Sequence, residues 1–180
     1  MRAWPTALLL LAACGGAPAP AISSGASQPL TVEVDSAVGP DWLRQPDLPE
    51  RTLSAASVAA QRWGGADLRD WTVRFVSRID ACGAAEAGQA SGCTRHDQRT
   101  IELAVDAASP CVEGTALLHE VGHVAIPDDP DHRDPRWSSP AFWVDLLGAV
   151  QAQEAPGATA CDEALSVWRI WWKAREAPAP

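Results

Sequence analysis

The chain has 180 residues, which suits one domain after removal of a leader, and its 23 Asp and Glu residues outnumber 14 Lys and Arg residues to give a net charge of -9. Its basic residues form no cluster longer than a pair. Because phosphate binding needs a concentrated basic surface, this composition argues against nucleic acid as a partner.

The first residues have the character of an export signal. A short run of leucines follows Arg2 and ends in two alanines before Cys14. This run is too short to span a bilayer as a mature helix, so residues 1–13 are predicted to be a cleaved signal peptide. An ordinary cleavage near Ala13 that leaves Cys14 incidental is the alternative to a lipid-modified cysteine.

The sequence around Cys14 resembles the lipobox of bacterial lipoproteins, in which this cysteine is lipidated and becomes the new N-terminus. That resemblance implies a protein held in the cell envelope, on the periplasmic or outer-membrane face, through its N-terminal lipid only. Residues 14–29 are rich in Gly, Ala, Ser and Pro and are predicted to be a flexible tether. Residues 30–176 are then expected to form a single domain.

Four cysteines remain when Cys14 is set aside. An even number in an exported protein predicts two disulfides. Cys82 and Cys93 flank a loop of small residues, so we expect them to close it, and Cys111 would then pair with Cys161. A cysteine-rich metal site is the alternative, but the chain has no CxxC spacing.

The predicted elements follow the order strand, helix, strand, strand, helix, helix, helix, which is typical of an α+β fold. Residues 39–50 contain three prolines and are predicted to be a loop, and Ser54 is a candidate N-cap. The strands are predicted at Leu30–Asp35, Trp71–Ile79 and Arg99–Val105, and the helices at Ser54–Trp63, Cys111–Val124, Ala141–Gln153 and Cys161–Arg175.

The last predicted helix carries an apolar stripe at helical spacing, formed by Leu165, Trp168 and Trp172. Such a stripe usually packs against the rest of the domain. We therefore expect these side chains to belong to the hydrophobic core rather than to a ligand site.

The helix at Cys111–Val124 contains the sequence His119-Glu120-Val121-Gly122-His123. Two histidines four positions apart lie on one face of a helix, so both imidazoles can reach the same cation. Glu120 can reach a water on that cation, and zinc lowers the pKa of such a water to about 7. The motif HExxH therefore predicts zinc ligands at His119 and His123 and a general base at Glu120.

On this motif the chain resembles the zincin metallopeptidases from the strand Arg99–Val105 to the loop near Trp137. The resemblance implies a zincin-like fold, with a small mixed sheet, a helix packed on it, the HExxH helix and C-terminal helices. It also implies peptide-bond hydrolysis with zinc, a protein or peptide substrate, and pairing of the strand Arg99–Val105 with that substrate. We expect a monomer.

Two positions compete for the third zinc ligand. The metzincin spacing would select Asp129, but Ile126 replaces the glycine of that pattern and the chain lacks a later methionine. His132 follows a turn rich in aspartates and precedes an aromatic residue, which is more similar to SprT-like zincins. Neutral imidazole suits zinc, so His132 is the preferred ligand and Asp128 a further alternative.

The surroundings of these ligands are also predicted. Asp131 or Asp134 is expected to orient His132 through a hydrogen bond. His96 could steady a developing oxyanion, since the chain has no tyrosine, although a solvated turn histidine is the plainer interpretation.

Three functional classes are compatible with the sequence. The chain could be an active zinc peptidase, a non-catalytic zincin-like binding or scaffolding lipoprotein, or a structural lipoprotein without metal. The presence of Glu120 favours the first class, because a binding module has no need of a general base.

Overall fold

The computed structural model describes residues 28–38, 46–83, 90–105, 112–153 and 159–176, and for residues 112–114 and 159–164 it describes the backbone alone. The predicted signal peptide, Cys14 and nearly all of the predicted tether lie outside the described residues. None of the helices in the described ranges is long and apolar enough to cross a membrane.

Four strands and four α-helices make up the described fold, which confirms the expected α+β class. The strands are β1 (Thr31–Val34), β2 (Thr72–Val76), β3 (Gly92–Arg95) and β4 (Thr100–Ala104). The helices are α1 (Leu48–Arg62), α2 (Val112–Ala125), α3 (Pro140–Gln151) and α4 (Thr159–Glu176), with a 3-10 turn at Pro135–Ser138 between α2 and α3.

The sheet is mixed and has the order β1-β2-β4-β3. β1 and β4 both run parallel to β2, whereas β3 runs antiparallel to β4 at one edge. β3 was not predicted, because its four residues Gly-Cys-Thr-Arg lack the alternation of apolar and polar side chains that indicates a strand. Because β3 forms the edge, β4 lies inside the sheet, between β2 and β3.

The main hydrophobic core lies between one face of this sheet and the helices. Val73 of β2 is aligned with Ile101 of β4, and Phe75 with Leu103, so all four side chains share a face, and each is at most 3% exposed. Burying a side chain of this kind stabilises the fold by roughly 1.5–3 kcal/mol. α1 and α2 cover this face, α3 packs on α1, and α4 packs on α3 and reaches α2.

α1 begins six residues before the predicted start, so Ser54 is an interior residue and not the N-cap. The N-cap is Asp47, and Pro49 occupies the first turn. Proline is tolerated there because the first backbone N–H groups of a helix have no partner within it. The prediction failed because it took the prolines of residues 39–50 to exclude a helix throughout that segment.

The disulfide between Cys82 and Cys93 is confirmed, with Cα atoms 5.7 Å apart. Cys93 lies in β3 and packs with Ile79 and Val76 in a second, small apolar cluster. The predicted bond from Cys111 to Cys161 stays a prediction, since Cys111 and the side chain of Cys161 lie outside what is described.

Candidate metal centre

Two histidines of α2 face the same space. His119 and His123 lie one helical turn apart, with ring centroids separated by 5.0 Å, and both are half-buried. The opposite side of the helix is apolar, and Leu118 and Val121 are fully buried there. Burial of that side fixes the rotation of α2 and therefore the direction of both imidazoles.

His132 completes a group of three. Its Nε2 atom lies 3.2 Å from Nε2 of His119 and 3.1 Å from Nε2 of His123. A tetrahedral ion with metal–nitrogen distances of about 2.0–2.1 Å holds its nitrogen ligands about 3.3–3.4 Å apart. The two distances from His132 are thus within a few tenths of an ångström of that value, the three ligand atoms all lie within 4.8 Å of one another, and the group could hold one metal ion.

A tight loop carries His132 back over the end of α2. The helix ends before Pro127, and the N–H of Asp129 then donates to the carbonyl of Ile126. His132 itself has φ +56°, in the left-handed region that non-glycine residues rarely adopt. Such strain persists only where the surroundings determine it, and it is common at functional sites.

Asp129 organises this loop. Its Oδ1 accepts from the backbone N–H of Arg133 at 2.7 Å, and its Oδ2 accepts from the N–H of Asp134 at 2.8 Å and from Nε1 of Trp137 at 2.9 Å. These hydrogen bonds hold the pKa of the Asp129 carboxyl below its usual value. Both oxygens are engaged by the protein, so the alternative with Asp129 as the third ligand is not supported.

The other acidic residues of the loop also lie outside the group. Asp128 is exposed and is not one of the three clustered residues. Asp131 pairs with Arg133, and Asp134 accepts hydrogen bonds from Arg136. The expectation that one of the last two orients His132 is therefore not supported by their contacts.

Trp137 forms the floor beneath the three imidazoles. Its ring centroid lies 4.9 Å from those of His119 and His123 and 4.5 Å from that of His132. Trp63 packs against Trp137, with ring centroids 4.3 Å apart, and its Nε1 donates to the Leu118 carbonyl at 2.9 Å. The indoles thus set the spacing between loop and helix.

Gly122 makes this packing possible. A Cβ atom at position 122 would lie 2.4 Å from Cη2 of Trp137 and 2.8 Å from Cε2 of Trp63. Those distances are far inside van der Waals contact, so both indoles rest on the bare backbone of α2. The sequence offered one signal of this contact, a glycine in the interior of a helix, where it costs stability without a reason of this kind.

Gly122→Ala is expected to destabilise the protein by about 1–3 kcal/mol, because the added methyl group forces the indoles away from α2. Urea denaturation measures the loss. Gly148→Ala in α3 is the matched control, since its new methyl group would lie 3.1 Å from the guanidinium of exposed Arg169, which can move. Equal stability of the Gly122 variant and the wild type would contradict this account of the packing.

The two histidines of α2 are held neutral. Burial, together with the neighbouring His123 and His132, lowers the pKa of His119 to about 4. Burial likewise lowers the pKa of His123 to about 4, with the charges of His132 and His96 acting in the same direction. Neutral imidazole is the form that binds a metal, so near pH 7 both side chains are in the protonation state that metal binding requires.

Glu120 lies beside the histidine group and is only 6% exposed. Burial raises the pKa of its carboxyl to about 7, although the hydroxyl of Thr94 donates to Oε2 at 2.8 Å. A Cβ atom at Gly92 would lie 2.6 Å from Oε1, so β3 leaves room for this carboxyl only because residue 92 is glycine.

The strand that borders Glu120 is β3, through Gly92 and Thr94. The strand Arg99–Val105 was expected to border the cleft and pair with substrate, but β4 is paired on both sides, with β2 and β3, and cannot accept another strand. That expectation is wrong. The edge beside Glu120 belongs to β3 instead.

His96 lies outside the three-histidine group. It is exposed in the turn after β3, and its ring meets the ring of Trp71 edge-on with centroids 5.5 Å apart. Its suggested contribution to oxyanion stabilisation stays a prediction.

A cavity of about 530 Å³ opens next to Glu120 and His119. Its other walls come from β3, the first half of α2, α3 and α4, and three of the lining side chains are tryptophans: Trp143, Trp168 and Trp172. The expectation that the α4 stripe is core holds for Leu165, which is 3% exposed. The two tryptophans of that stripe are half-buried and also line the cavity.

The arrangement as a whole can hold a metal ion on three imidazoles, with a buried carboxyl and an open cavity beside it. Comparison of the chain with models of protein families, with curated proteins and with solved structures found no match.

Proposed function

We propose that this protein is a zinc-dependent peptide-bond hydrolase of the zincin type. One observation carries the proposal: the Nε2 atoms of His119, His123 and His132 converge in a group that could hold one metal ion, and the buried Glu120 lines the same cavity as His119. The spacing of His119 and His123 follows from the HExxH pattern, whereas His132 comes from the loop after α2.

Zinc is the metal that fits this donor set best. Catalytic zinc sites usually have three protein ligands and one open position, and neutral imidazole is a common ligand. Burial keeps His119 and His123 neutral. A zinc ion bound here would supply Lewis acidity, polarising a carbonyl group and acidifying water.

The residues of the chain would divide the remaining work. Glu120 accepts the proton of the attacking water and later delivers it to the leaving amine. The hydroxyl of Thr94 donates to Oε2, and Oε1 lies against the backbone of Gly92. Thr94 and Gly92 thereby hold the carboxyl in one orientation, and Trp137 holds the three imidazoles from below.

An extended peptide would lie along β3. In the described sheet, β3 has β4 on one side and no strand on the other. The backbone N–H and C=O groups of a free edge can pair with an added strand. Because Gly92 and Thr94 of the same strand contact Glu120, a peptide paired there would pass beside the base.

The burial of Glu120 favours an enzyme over a non-catalytic metal-binding lipoprotein. A carboxyl that is removed from water costs free energy unless its partners compensate for the loss. Thr94 supplies one hydrogen bond, and the pKa is nevertheless raised. A scaffold gains nothing from such a group, whereas a general base gains a pKa near the working pH.

The purified protein is expected to carry close to one equivalent of zinc and to cleave an unfolded protein such as casein. Elemental analysis and peptide release measure the two properties. A chelator should abolish cleavage and added zinc should restore it. Metal at background in the wild type and in His123→Ala alike would exclude the metal site, and one equivalent of zinc without cleavage would favour the scaffolding alternative.

We also propose that the domain is held in the cell envelope through a lipid on Cys14, by the resemblance of that segment to a lipobox. Radioactive palmitate is expected to label the wild type and not Cys14→Ser. Equal labelling of the two proteins would contradict the anchor and would leave the proposed hydrolase unaffected.

A further inference from the structure

The cavity next to Glu120 has features that the hydrolytic chemistry alone does not require. Its volume of about 530 Å³ lies within the range of roughly 300–1,000 Å³ that is usual for ligand pockets. Three tryptophans line it, contributed by two helices that supply none of the histidines. A cleft that served only to admit water and a peptide backbone would need no wall of this kind.

The lining selects against charge. Among the described residues that line it, none besides His119 and Glu120, which belong to the site itself, carries an ionisable group. The small residues Gly92 and Ala116 and the hydroxyl residues Ser91 and Thr115 complete it. A charged side chain placed against the three tryptophans would lose hydration without gaining a charged partner on that wall, which is costly.

The tryptophans of the cavity wall are held by contacts with neighbouring residues. Trp143 donates its Nε1 hydrogen to the carbonyl of Trp137 at 3.0 Å, so its polar atom is satisfied. Trp172 stacks on Trp143, with interplanar angle 12° and ring centroids 5.5 Å apart. Trp168 meets Trp171 edge-on. Rings held in this way offer a preformed apolar surface.

We propose that this cavity binds a bulky apolar side chain of the peptide, aromatic or large aliphatic, at a residue adjacent to the bond that is cleaved. The position follows from the shared lining: Glu120 and His119 form one wall of the cavity and also belong to the proposed hydrolytic site. The inference rests on the proposed function and adds the class of substrate to it.

The first test uses acetylated, amidated octapeptides of Gly and Ala that differ at one central residue, which is Gly, Leu, Phe, Asp or Lys. Unlabelled peptides are read by mass spectrometry, so no dye can occupy the cavity. We expect the Leu and Phe peptides to be cleaved next to that residue roughly 100-fold faster than the Gly peptide, with Asp and Lys no better than Gly. Equal rates for all five would overturn the inference and leave the proposed function standing.

The second test fills the cavity. Ala116→Leu on α2 and Ser91→Leu beside β3 narrow it from different sides, and Ser91 is exposed, so that variant leaves the core intact. Each is expected to reduce the preference for Phe over Gly at least about 10-fold. Ala55→Leu in α1 is the matched control, half-buried like Ala116 but outside the cavity. An unchanged preference in both filled variants would overturn the inference.

A binding readout separates this inference from the proposed function. Acetyl-phenylalanine amide is expected to shift the indole NMR signals of Trp168 and Trp172 in the Glu120→Gln protein, and acetyl-glycine amide is not. Shifts that disappear in Ala116→Leu support the cavity even if no peptide is ever cleaved, in which case the hydrolase proposal alone fails. Absence of shifts in the Glu120→Gln protein would overturn the proposed binding in the cavity, whether or not peptides are cleaved by the wild type.

Discussion

Glu120→Gln is expected to lower peptide hydrolysis by about 10²–10⁴-fold while zinc stays bound. Glutamine has the shape of glutamate but cannot accept a proton at neutral pH. Its amide oxygen can still accept the hydrogen bond from Thr94, and the space left by Gly92 accommodates it equally well. Since the three imidazoles are untouched, the change removes the proton transfer and leaves the metal site.

Initial rates on the preferred octapeptide, together with elemental analysis of each sample, check this result. Glu50→Gln is the matched control, because Glu50 is exposed in the first turn of α1 and belongs neither to the histidine group nor to the cavity lining. Zinc content near one equivalent with undiminished hydrolysis in Glu120→Gln would remove Glu120 from the mechanism.

His132→Ala is expected to weaken zinc binding by far more than the roughly 10–100-fold cost of losing a group that only orients a ligand. Removing His132 leaves two imidazoles on α2, and two ligands do not enclose an ion. The strained φ of +56° at this position indicates that the loop is built to place this side chain. Competition with a chromophoric chelator measures the affinity.

Two further variants make the result specific. Asp129→Ala should weaken zinc binding more mildly, because Asp129 holds the loop through Arg133, Asp134 and Trp137 without contacting the ion. His96→Ala should bind zinc like the wild type, because His96 lies outside the three-histidine group. If His132→Ala retained wild-type affinity while Asp129→Ala lost it, the ligand assignment would be wrong.

Local patterns predicted the centre of the site well. The four-residue spacing of His119 and His123 is a property of any helix, and α2 was placed within one residue of its observed ends. His132 was chosen over Asp129 on ligand preference, and its position beside the other two histidines agrees with that choice. Helical spacing and ligand chemistry were therefore sufficient to select the three histidines.

The supporting residues could not be predicted from such patterns. Asp129 was considered only as a ligand, since nothing in the sequence distinguishes an aspartate that binds metal from one that binds three N–H groups. Trp137 and Gly122 are related by a tertiary contact, and so are Gly92 and Glu120. Each contact becomes visible only when separate elements are packed together.

The α4 stripe illustrates a related ambiguity. A periodic row of apolar side chains indicates which side of a helix faces the protein, but not whether that side meets packed atoms or an open cavity. Leu165 meets the core, whereas Trp168 and Trp172 reach the space beside Glu120. Their side of the helix was predicted correctly, and the cavity depends on how α3 and α4 sit against α2.

The three histidines come from two segments, a helix and the loop that follows it, so a bound zinc ion would act as a cross-link between them. An ion that binds the folded chain and not the unfolded one adds its binding free energy to folding. Once the site is saturated, each tenfold rise in free zinc would add about 1.4 kcal/mol to the free energy of unfolding. Resistance to unfolding would then depend on the concentration of free zinc around the protein.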